Sequence, residues 1–380
     1  MDRKAVDAAG RRLAEDIPWH SYADPEVIEA FRVANSWRER HLGALRSMHL
    51  QLAHAVSRLE LDGVTASRLK RMPSIRRKLR RIRVPLTKIQ DLGGCRVILP
   101  TIAEVHQFGA AIAAMDRHNV RKIDDYVGQP KTDGYRSLHI KLDYSDSRNP
   151  QHEGLRLELQ ARSHLQHAWA TAVEAIGLYI GENLKGGEGP AEWRRLLLLL
   201  SAEFAEHEQC ETVPGTPAGP QRRDEIRHLE RQLDAVPLLA RLSDSFRYID
   251  NLIIDPEAKF LLIRYDHVAG SVVVRTFREQ PESALAYNET EQGIKTGPLD
   301  DQPDVDAVLV SLNKLNDLKA AFPNYFGDVT MFRQQLQGIC RGRGLAEYDF
   351  PKQALAPPRQ RESPDDSWLR SRRFPKPKGG

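Results

Sequence analysis

The pattern of apolar and polar positions predicts a β-strand at residues 154–162, which read GLRLELQAR. Its three leucines alternate with polar residues, so that one face is apolar and the other carries Glu158. A second apolar stretch, CRVIL at residues 95–99, follows Asp91 and a Gly93-Gly94 pair that permits close approach of the backbone. The pattern thus predicts two strands, each associated with one carboxylate.

Helical periodicity is typical of the regions around these strands. Residues 1–66 predict helices that pack on the following domain, one of them with Asp24 as its N-cap and Pro25 in its first turn. A single amphipathic helix with a basic face is predicted at residues 67–83. Further predicted helices are 102–115, one beginning near Ser163, and 191–208, and a loop at 128–134 leads into the strand SLHIKLDY. The mixture predicts an α+β domain over residues 67–212, with a mixed sheet flanked by helices.

A loop rich in Pro and Gly at residues 213–220 predicts a linker between two domains. Residues 221–350 predict a smaller α+β module without a catalytic constellation, and we hypothesise that it is regulatory. Residues 351–380, rich in Pro, Arg, Asp and Lys, predict a disordered tail. The elements expected in the module are helices at 222–242, 281–290 and 312–322 and strands at 246–254, 259–265, 271–277 and 305–311.

The charge of the chain is concentrated locally. The formal net charge is only +4, yet residues 67–83 hold nine Lys or Arg and no acid. This favours a specific anion site, although a surface helix or a general nucleic-acid patch is the alternative. The three cysteines lack zinc or disulfide spacing, which indicates a reduced, cytoplasmic protein, and the leucine run at 196–200 is too short to span a membrane.

Two carboxylates on neighbouring strands could share a hard cation, and Mg²⁺ suits such a pair because water and phosphate oxygens complete its coordination. The alternative for Glu158 alone is a solvated sheet face. His164 and His167 lie three residues apart, but a third zinc ligand is missing, and packing is the favoured interpretation.

Four motifs in order resemble the synthetase domain of the RelA/SpoT family, the alarmone synthetases. They read SRLKRMPSIRRKL, IQDLGGCRVI, DDYVGQPKTDGYRSLHI and LELQARSHLQHAWATAVE. The segments NSWRERHLGALRSMHLQL, VPGTP and FPNYFGD extend the likeness to members that have a single synthetase domain and their own carboxy-terminal module. The resemblance implies a nucleotidyltransferase-like sheet.

The resemblance also implies transfer of the β,γ-pyrophosphate of ATP to the 3′-hydroxyl of GDP or GTP, which gives guanosine tetra- or pentaphosphate and AMP. Catalysis and Mg²⁺ binding would fall to Asp91 and Glu158. Residues implied to bind ATP are Arg68 and Arg96, which would hold its adenine, and Lys70, Ser74 and Lys78, which would lie on or near its phosphates. Residues implied to bind the acceptor are Lys131, Tyr135, His139, Gln160 and Arg162, with Tyr135 stacking on its base.

Two departures from the family pattern concern the acceptor. Asp124 stands where the family commonly has Lys, and Ala161-Arg162-Ser163 replaces Ile-Arg-Thr. The negative charge of Asp124 beside an anionic substrate puts acceptor identity in question, and Arg121 and Lys122 are close enough in sequence to compensate for it.

Three alternatives follow from these observations. The acceptor could be the 3′ end of tRNA or an adenosine nucleotide, as in toxic relatives, or the chain could be a non-catalytic nucleotide sensor. Larger members of the family carry a hydrolase domain with a His-Asp pair. None of the 13 histidines here precedes Asp and the leader is short, so we expect no alarmone hydrolysis. A homo-oligomer is compatible with the resemblance.

Overall fold

One mixed β-sheet organises the computed structural model, which describes residues 2–17, 24–180, 182, 184–245, 258–266, 271–293, 305–311 and 329–345. The strands in these ranges are β1 (Val64–Leu69), β2 (Gly93–Leu99), β3 (Asn119–Asp125), β4 (Leu138–Tyr144), β5 (Leu155–Ser163), β6 (Phe260–Asp266), β7 (Ser271–Phe277) and β8 (Val305–Ser311). Their order in the sheet is β3-β4-β5-β2-β1-β8-β6-β7. Strands β2 and β5 pair in parallel and the other neighbours are antiparallel. The fold is therefore α+β with a mixed sheet, as predicted.

Helices flank this sheet. Those within the described ranges are α1 (Arg3–Ala14), α2 (Pro25–Glu39), α3 (His41–Arg58), α4 (Met72–Ile82), α5 (Ile102–Ala113), α6 (His164–Ile180), α7 (Ala191–His207), α8 (Gly219–Leu233), α9 (Ala235–Ser245), α10 (Gln280–Gly293) and α11 (Thr330–Cys340). Asp24 and Pro25 occupy the N-cap and first turn of α2 as predicted. Thr101 and Glu104 form a capping box that begins α5.

The core that supports the site lies between helices and sheet. Helix α3 packs on β1 and β2, α5 on β4 and β5, and α10 on β6 and β8. Their apolar side chains belong to one buried cluster, which includes Trp37, Met48, Phe108, Leu157 and Phe260. Helix α7 packs between α6 and α8, and α11 contacts α6, α8 and α9. Among the helices in the described ranges, none combines the length and apolar character needed to cross a bilayer.

Two helix predictions are wrong, and proline explains both. Residues 67–69 belong to β1, and α4 begins only at Met72 because Pro73 is tolerated in a first turn but not in a helix interior. The single helix predicted at 222–242 is two, α8 and α9. Asp234 caps α8 in the left-handed conformation with φ 50°, and Pro237 lies in the first turn of α9.

The strands after residue 220 continue the first sheet instead of forming a second one. Strands β6 and β7 pair antiparallel, as predicted, while β8 lies between β6 and β1. The domain boundaries therefore stay a prediction, but the module predicted at 221–350 shares its sheet with the preceding domain. The elements predicted at 246–254 and 312–322, the FPNYFGD segment and the tail at 351–380 lie outside the described residues.

Candidate active site

Strands β2 and β5 bring the two predicted carboxylates into one site. Gly94 of β2 is in register with Glu158 of β5, and Asp91 lies two residues before β2. The pair of strands can approach closely because Gly93 has no side chain; a Cβ there would lie 2.7 Å from Cδ2 of Leu157. Glu158 is buried, so the alternative of a solvated sheet face is wrong.

Two lysines neutralise Asp91. The Nζ atom of Lys70 lies 2.9 Å from Oδ2 of Asp91, and Nζ of Lys78 lies 2.8 Å from Oδ1. Burial raises the pKa of Asp91, but the charges and hydrogen bonds of Lys70 and Lys78 outweigh it and hold this pKa well below its usual range. The two ammonium groups predicted to contact phosphate thus meet the carboxylate predicted to bind metal, and the Asp91 carboxylate is ionised.

Glu158 is held by His139 and Gln160. Nδ1 of His139 lies 3.0 Å from Oε1 of Glu158, and Nε2 of Gln160 donates to Oε2 at 3.2 Å. Burial raises the pKa of Glu158, but the hydrogen bond and charge of His139 outweigh it and keep the pKa below its usual value. Burial lowers the pKa of His139, but Tyr135 and Glu158 together raise it by more than burial lowers it, so the pKa lies above its usual value. An ionised carboxylate with a fixed orientation results.

A hydrogen-bonded chain continues from His139 to Tyr135 and Arg162. The hydroxyl of Tyr135 lies 2.8 Å from Nε2 of His139 and accepts a hydrogen bond of 2.6 Å from Arg162. Arg162 also donates to Oε1 of Gln160 at 3.0 Å. Burial raises the pKa of Tyr135, but the charges of Arg162 and His139 outweigh it and lower this pKa to about 7. The structure therefore brings four of the five predicted acceptor residues into one network.

The ring of Tyr135 is enclosed. Nζ of the fifth predicted acceptor residue, Lys131, lies 4.8 Å from the ring centroid, and Cζ of Arg162 lies 5.2 Å from it. Only 7% of Tyr135 is exposed. A base that stacks on this ring must displace one of these neighbours, so the predicted stacking role stays a prediction.

The residues predicted to bind adenine lie on adjacent strands. Arg68 of β1 is in register with Gly94 of β2, and Arg96 of β2 with Ala66 of β1. Burial, followed by the charges of Arg162 and Arg68, lowers the pKa of Arg96 to about 9. Ser74 lies in the first turn of α4, close in sequence to Lys70 and Lys78.

Glu174 of α6 supplies the counter-charge on this side. Nζ of Lys185 lies 2.9 Å from its carboxylate. Burial raises the pKa of Glu174, but the charges of Lys185, Arg68 and Arg96 outweigh it and hold the pKa far below its usual range. Glu174 therefore balances the two arginines of the predicted ATP side.

Basic neighbours compensate Asp124 within the sheet. Nζ of Lys122 and Nζ of Lys141 each lie 2.6 Å from an oxygen of Asp124. Lys122 therefore compensates as expected, whereas Arg121 pairs with Asp143 at 3.0 Å. Lys141 was missed because it lies 17 positions from Asp124 and only the antiparallel β3–β4 pairing brings it close.

A cleft of about 360 Å³ adjoins Tyr135 between the 131–135 loop, α6 and α7. Its walls are Thr132, Asp133, Tyr135, Trp169, Ala170, Val173, Leu184, Lys185, Gly187, Arg194, Arg195, Leu197 and Leu198. Sequence reasoning missed the cleft, because its apolar wall comes from core positions of two helices. The only local signal is Gly134, whose φ of 92° favours glycine and whose Cβ would lie 2.9 Å from Cβ of Ser201.

His164 and His167 do not belong to a metal-binding cluster. Within the part of the chain that the structure describes, no group of three or more His, Cys, Asp or Glu could hold a metal ion. Burial lowers the pKa of His164 to about 4. Two carboxylates with phosphate and water as further ligands remain the arrangement that the site offers to a cation.

Residues 67–183 match the family model for the region found in RelA / SpoT proteins. The chain is 29% identical over 118 residues to the GTP pyrophosphokinase YwaC of Bacillus subtilis, an alignment that covers 30% of this chain and 56% of YwaC. It is 25% identical over 184 residues to a GTP pyrophosphokinase of Escherichia coli K12, covering 46% and 24%. A chloroplastic GTP diphosphokinase of rice, CRSH2, is 32% identical over 187 residues, covering 44% and 30%.

Among solved structures, the small alarmone synthetase 1 of Bacillus subtilis bound to its product pppGpp aligns with a TM-score of 0.40 and 20% identity, covering 45% of this chain and 90% of that one. The present chain spans about half the length of YwaC and less of the larger relatives. Residues 67–183 therefore match the region found in RelA/SpoT proteins, and the resemblance drawn from the four motifs is confirmed over these residues.

Proposed function

We propose that the protein is an ATP:nucleotide 3′-pyrophosphotransferase that converts GDP or GTP to guanosine tetra- or pentaphosphate and releases AMP. The observation that carries the proposal is the position of Asp91 and Glu158 between two sets of side chains. Lys70 and Lys78 contact Asp91, and the His139 network contacts Glu158. The names of the relatives, GTP pyrophosphokinase and GTP diphosphokinase, support the same class of reaction.

The donor set fits Mg²⁺. Asp91 and Glu158 offer hard, ionised carboxylate oxygens of the kind that Mg²⁺ prefers. The ammonium groups of Lys70 and Lys78, which lie within 2.9 Å of Asp91, would have to leave its oxygens for phosphate oxygens when the ion binds. Asp91 and Glu158 would hold the ion, which when bound neutralises phosphate charge during transfer.

The residues of the chain act mainly through position and charge. Lys70 and Lys78 neutralise the triphosphate, and the arginines at 68 and 96 hold the adenine of ATP. Glu158 takes the proton from the 3′-hydroxyl of the acceptor nucleotide, and the 3′-oxygen forms a bond to the β-phosphorus of ATP. The bond from that phosphorus to the oxygen bridging the α- and β-phosphates breaks, and AMP leaves. His139 fixes Glu158 in the orientation for this step.

The cleft beside Tyr135 favours guanosine among mononucleotide acceptors. Asp133 lines the cleft, and a carboxylate accepts hydrogen bonds from the adjacent N1–H and N2–H₂ donors of guanine. Adenine does not present such a pair of adjacent donors. The compensated Asp124 adds no unpaired negative charge near the acceptor.

A tRNA acceptor is the second candidate, because the helix α4 is rich in arginine and its last turn carries Arg80 and Arg81. Binding to a polyanion releases counterions, so transfer to tRNA should fall steeply with salt, whereas transfer to a mononucleotide should depend on salt much less. The salt profile of each acceptor separates the two cases.

The test is pyrophosphate transfer from γ-labelled ATP with Mg²⁺ to GDP, GTP, AMP, ADP and uncharged tRNA in parallel. Label in a guanosine polyphosphate is the expected result. Label on tRNA or on an adenosine nucleotide would show that this molecule, and not GDP or GTP, is the acceptor. Absence of transfer to every acceptor would favour a nucleotide sensor. Cytoplasmic location and a homo-oligomeric state stay predictions, which fractionation of cells and the mass in solution would check.

A further inference from the structure

Arg38 connects the carboxy-terminal segment to the predicted ATP side of the site. Arg38 lies on α2 and is fully buried. One of its terminal nitrogens, Nη1, donates to the carbonyl oxygen of Lys70 at 3.4 Å and to the hydroxyl of Tyr287 at 3.2 Å. Its Cζ atom lies 4.6 Å from the centroid of the Tyr287 ring. Tyr287, on α10, is also fully buried.

Lys70 lies at the end of this connection. Its backbone N–H donates to the carbonyl of Leu92 at 2.9 Å, and its carbonyl accepts from Arg38. Its side chain contacts Asp91 at 2.9 Å. Lys70 joins the end of β1 to the start of α4, so its backbone position sets where the ammonium group meets Asp91.

A second contact connects β8 to β1, the strand that directly precedes Lys70. Strand β8 pairs with β1 at Ser67 and Arg68, the latter a predicted ATP-binding residue. Helix α10, which carries Tyr287, packs on β8 and β6. Strand β8 therefore contacts β1 by backbone pairing, and α10 is connected to Lys70 through Arg38.

We propose that Arg38 and Tyr287 are positioning residues that fix Lys70 for ATP, and that α10 and β8 thereby form part of the ATP half of the site. The inference rests on the proposed function for the identity of the nucleotide. Neither residue reaches the reacting atoms; both act through Lys70. A buried arginine hydrogen bond is directional, so its loss changes the position of Lys70 more than a loss of apolar packing would.

The main variant is Tyr287→Phe in the full chain, because it keeps the ring over Arg38 and removes only the hydroxyl. We expect the dissociation constant of a non-hydrolysable ATP analogue to rise about three- to tenfold, the effect of one ordinary hydrogen bond, because the loss reaches ATP only through the position of Lys70. GDP affinity should stay within about twofold, since the bridge does not reach the acceptor side. Tyr179→Phe is the matched control, because Tyr179 is 55% exposed on α6.

Two further measurements distinguish positioning from simple support of the fold. Amide hydrogen exchange in the peptide that contains Lys70 should be faster in Tyr287→Phe and unchanged in Tyr179→Phe. The double variant Arg38→Met/Tyr287→Phe should bind the ATP analogue no more weakly than Arg38→Met alone, because both changes interrupt one connection.

Unchanged ATP-analogue affinity and unchanged exchange at Lys70 in Tyr287→Phe, with or without a lower melting temperature, would overturn the inference. Failure of the proposed function has a different signature. A wild-type protein that transfers pyrophosphate to no acceptor would refute that function, while analogue affinity and exchange at Lys70 would still decide whether the bridge positions this residue.

Discussion

His139 and Glu158 contact each other diagonally across the antiparallel β4–β5 pair, with Nδ1 of His139 3.0 Å from Oε1 of Glu158, while His139 itself is in register with Gln160. The second nitrogen of the same ring lies 2.8 Å from the hydroxyl of Tyr135. Because both sides of the imidazole are occupied, the ring orients the carboxylate, and the carboxylate is in place before any acceptor binds. This relationship makes the first two predictions specific.

Glu158→Gln should abolish transfer without unfolding the protein. The amide has nearly the same shape but cannot accept the acceptor proton, so we expect kcat to fall by about 10²- to 10⁴-fold. Initial rates with saturating ATP and acceptor measure the effect, and the melting temperature serves as the control for folding.

Asp91→Asn should also lose activity, but with a lower melting temperature, since Lys70 and Lys78 lose their shared counter-charge. Wild-type turnover in both variants would show that the site is wrongly assigned.

Tyr135→Phe separates the hydroxyl from the ring. The hydroxyl links His139 to Arg162, so its removal should lower kcat by about tenfold while leaving the acceptor KM nearly unchanged. Tyr135→Ala should raise the acceptor KM in addition, because it removes the platform predicted for the base. Steady-state kinetics with acceptor varied at fixed ATP give both parameters. If the phenylalanine variant matches the wild type, the hydroxyl has no part in catalysis.

Restoring the family's usual lysine at position 124 should destabilise this protein. Asp124→Lys would place a third positive charge beside Lys122 and Lys141, both of which now lie 2.6 Å from the carboxylate. We expect a loss of about 1 to 2 kcal/mol in the free energy of unfolding, because three like charges would meet where solvent screens them only in part. Urea unfolding measures it, with Asp116→Lys at an exposed position as the matched control. Equal losses in the two variants would contradict the role of the lysine pair.

Buried histidines should make the protein sensitive to acid. Burial lowers the pKa of His49 to about 4, while its ordinary value is near 6.5. The unfolded chain therefore binds a proton that the folded chain resists, and stability falls as the pH drops from about 6.5 towards 4. His49→Gln should remove about 1 to 3 kcal/mol of this pH dependence, measured by urea unfolding across that range. His54→Gln, at an exposed position of the same helix, is the matched control.

Much of the site follows from local sequence. The alternation in residues 155–163 predicts β5 and places Glu158 opposite the leucines, since side chains alternate along any strand. The four motifs predict the match to the RelA/SpoT region because each motif is a local string and the four occur in a fixed order. The start of α4 is also encoded locally, because Pro73 fits the first turn of a helix but not its interior.

Contacts between distant parts of the chain could not be predicted from the sequence. Arg38 and Tyr287 lie 249 positions apart, and no local pattern names one as the partner of the other. The same is true of the cleft beside Tyr135, whose wall consists of ordinary helix core positions. Such contacts depend on how helices and strands pack against one another, and the same hydrophobic periodicity is compatible with several packing arrangements.

The sequence by itself determined the class of fold and the match to the RelA/SpoT region, and it predicted that Asp91 and Glu158 lie near neighbouring strands. Only the tertiary structure decided that Lys141 neutralises Asp124, that β8 pairs with β1 beside Arg68, and that Lys70 is tied to α10 through Arg38. The physical reason is that strand partners are joined by backbone groups that every residue carries. An apolar pattern can therefore specify that a strand is buried, but its neighbour in the sheet is chosen by the packing of the whole chain.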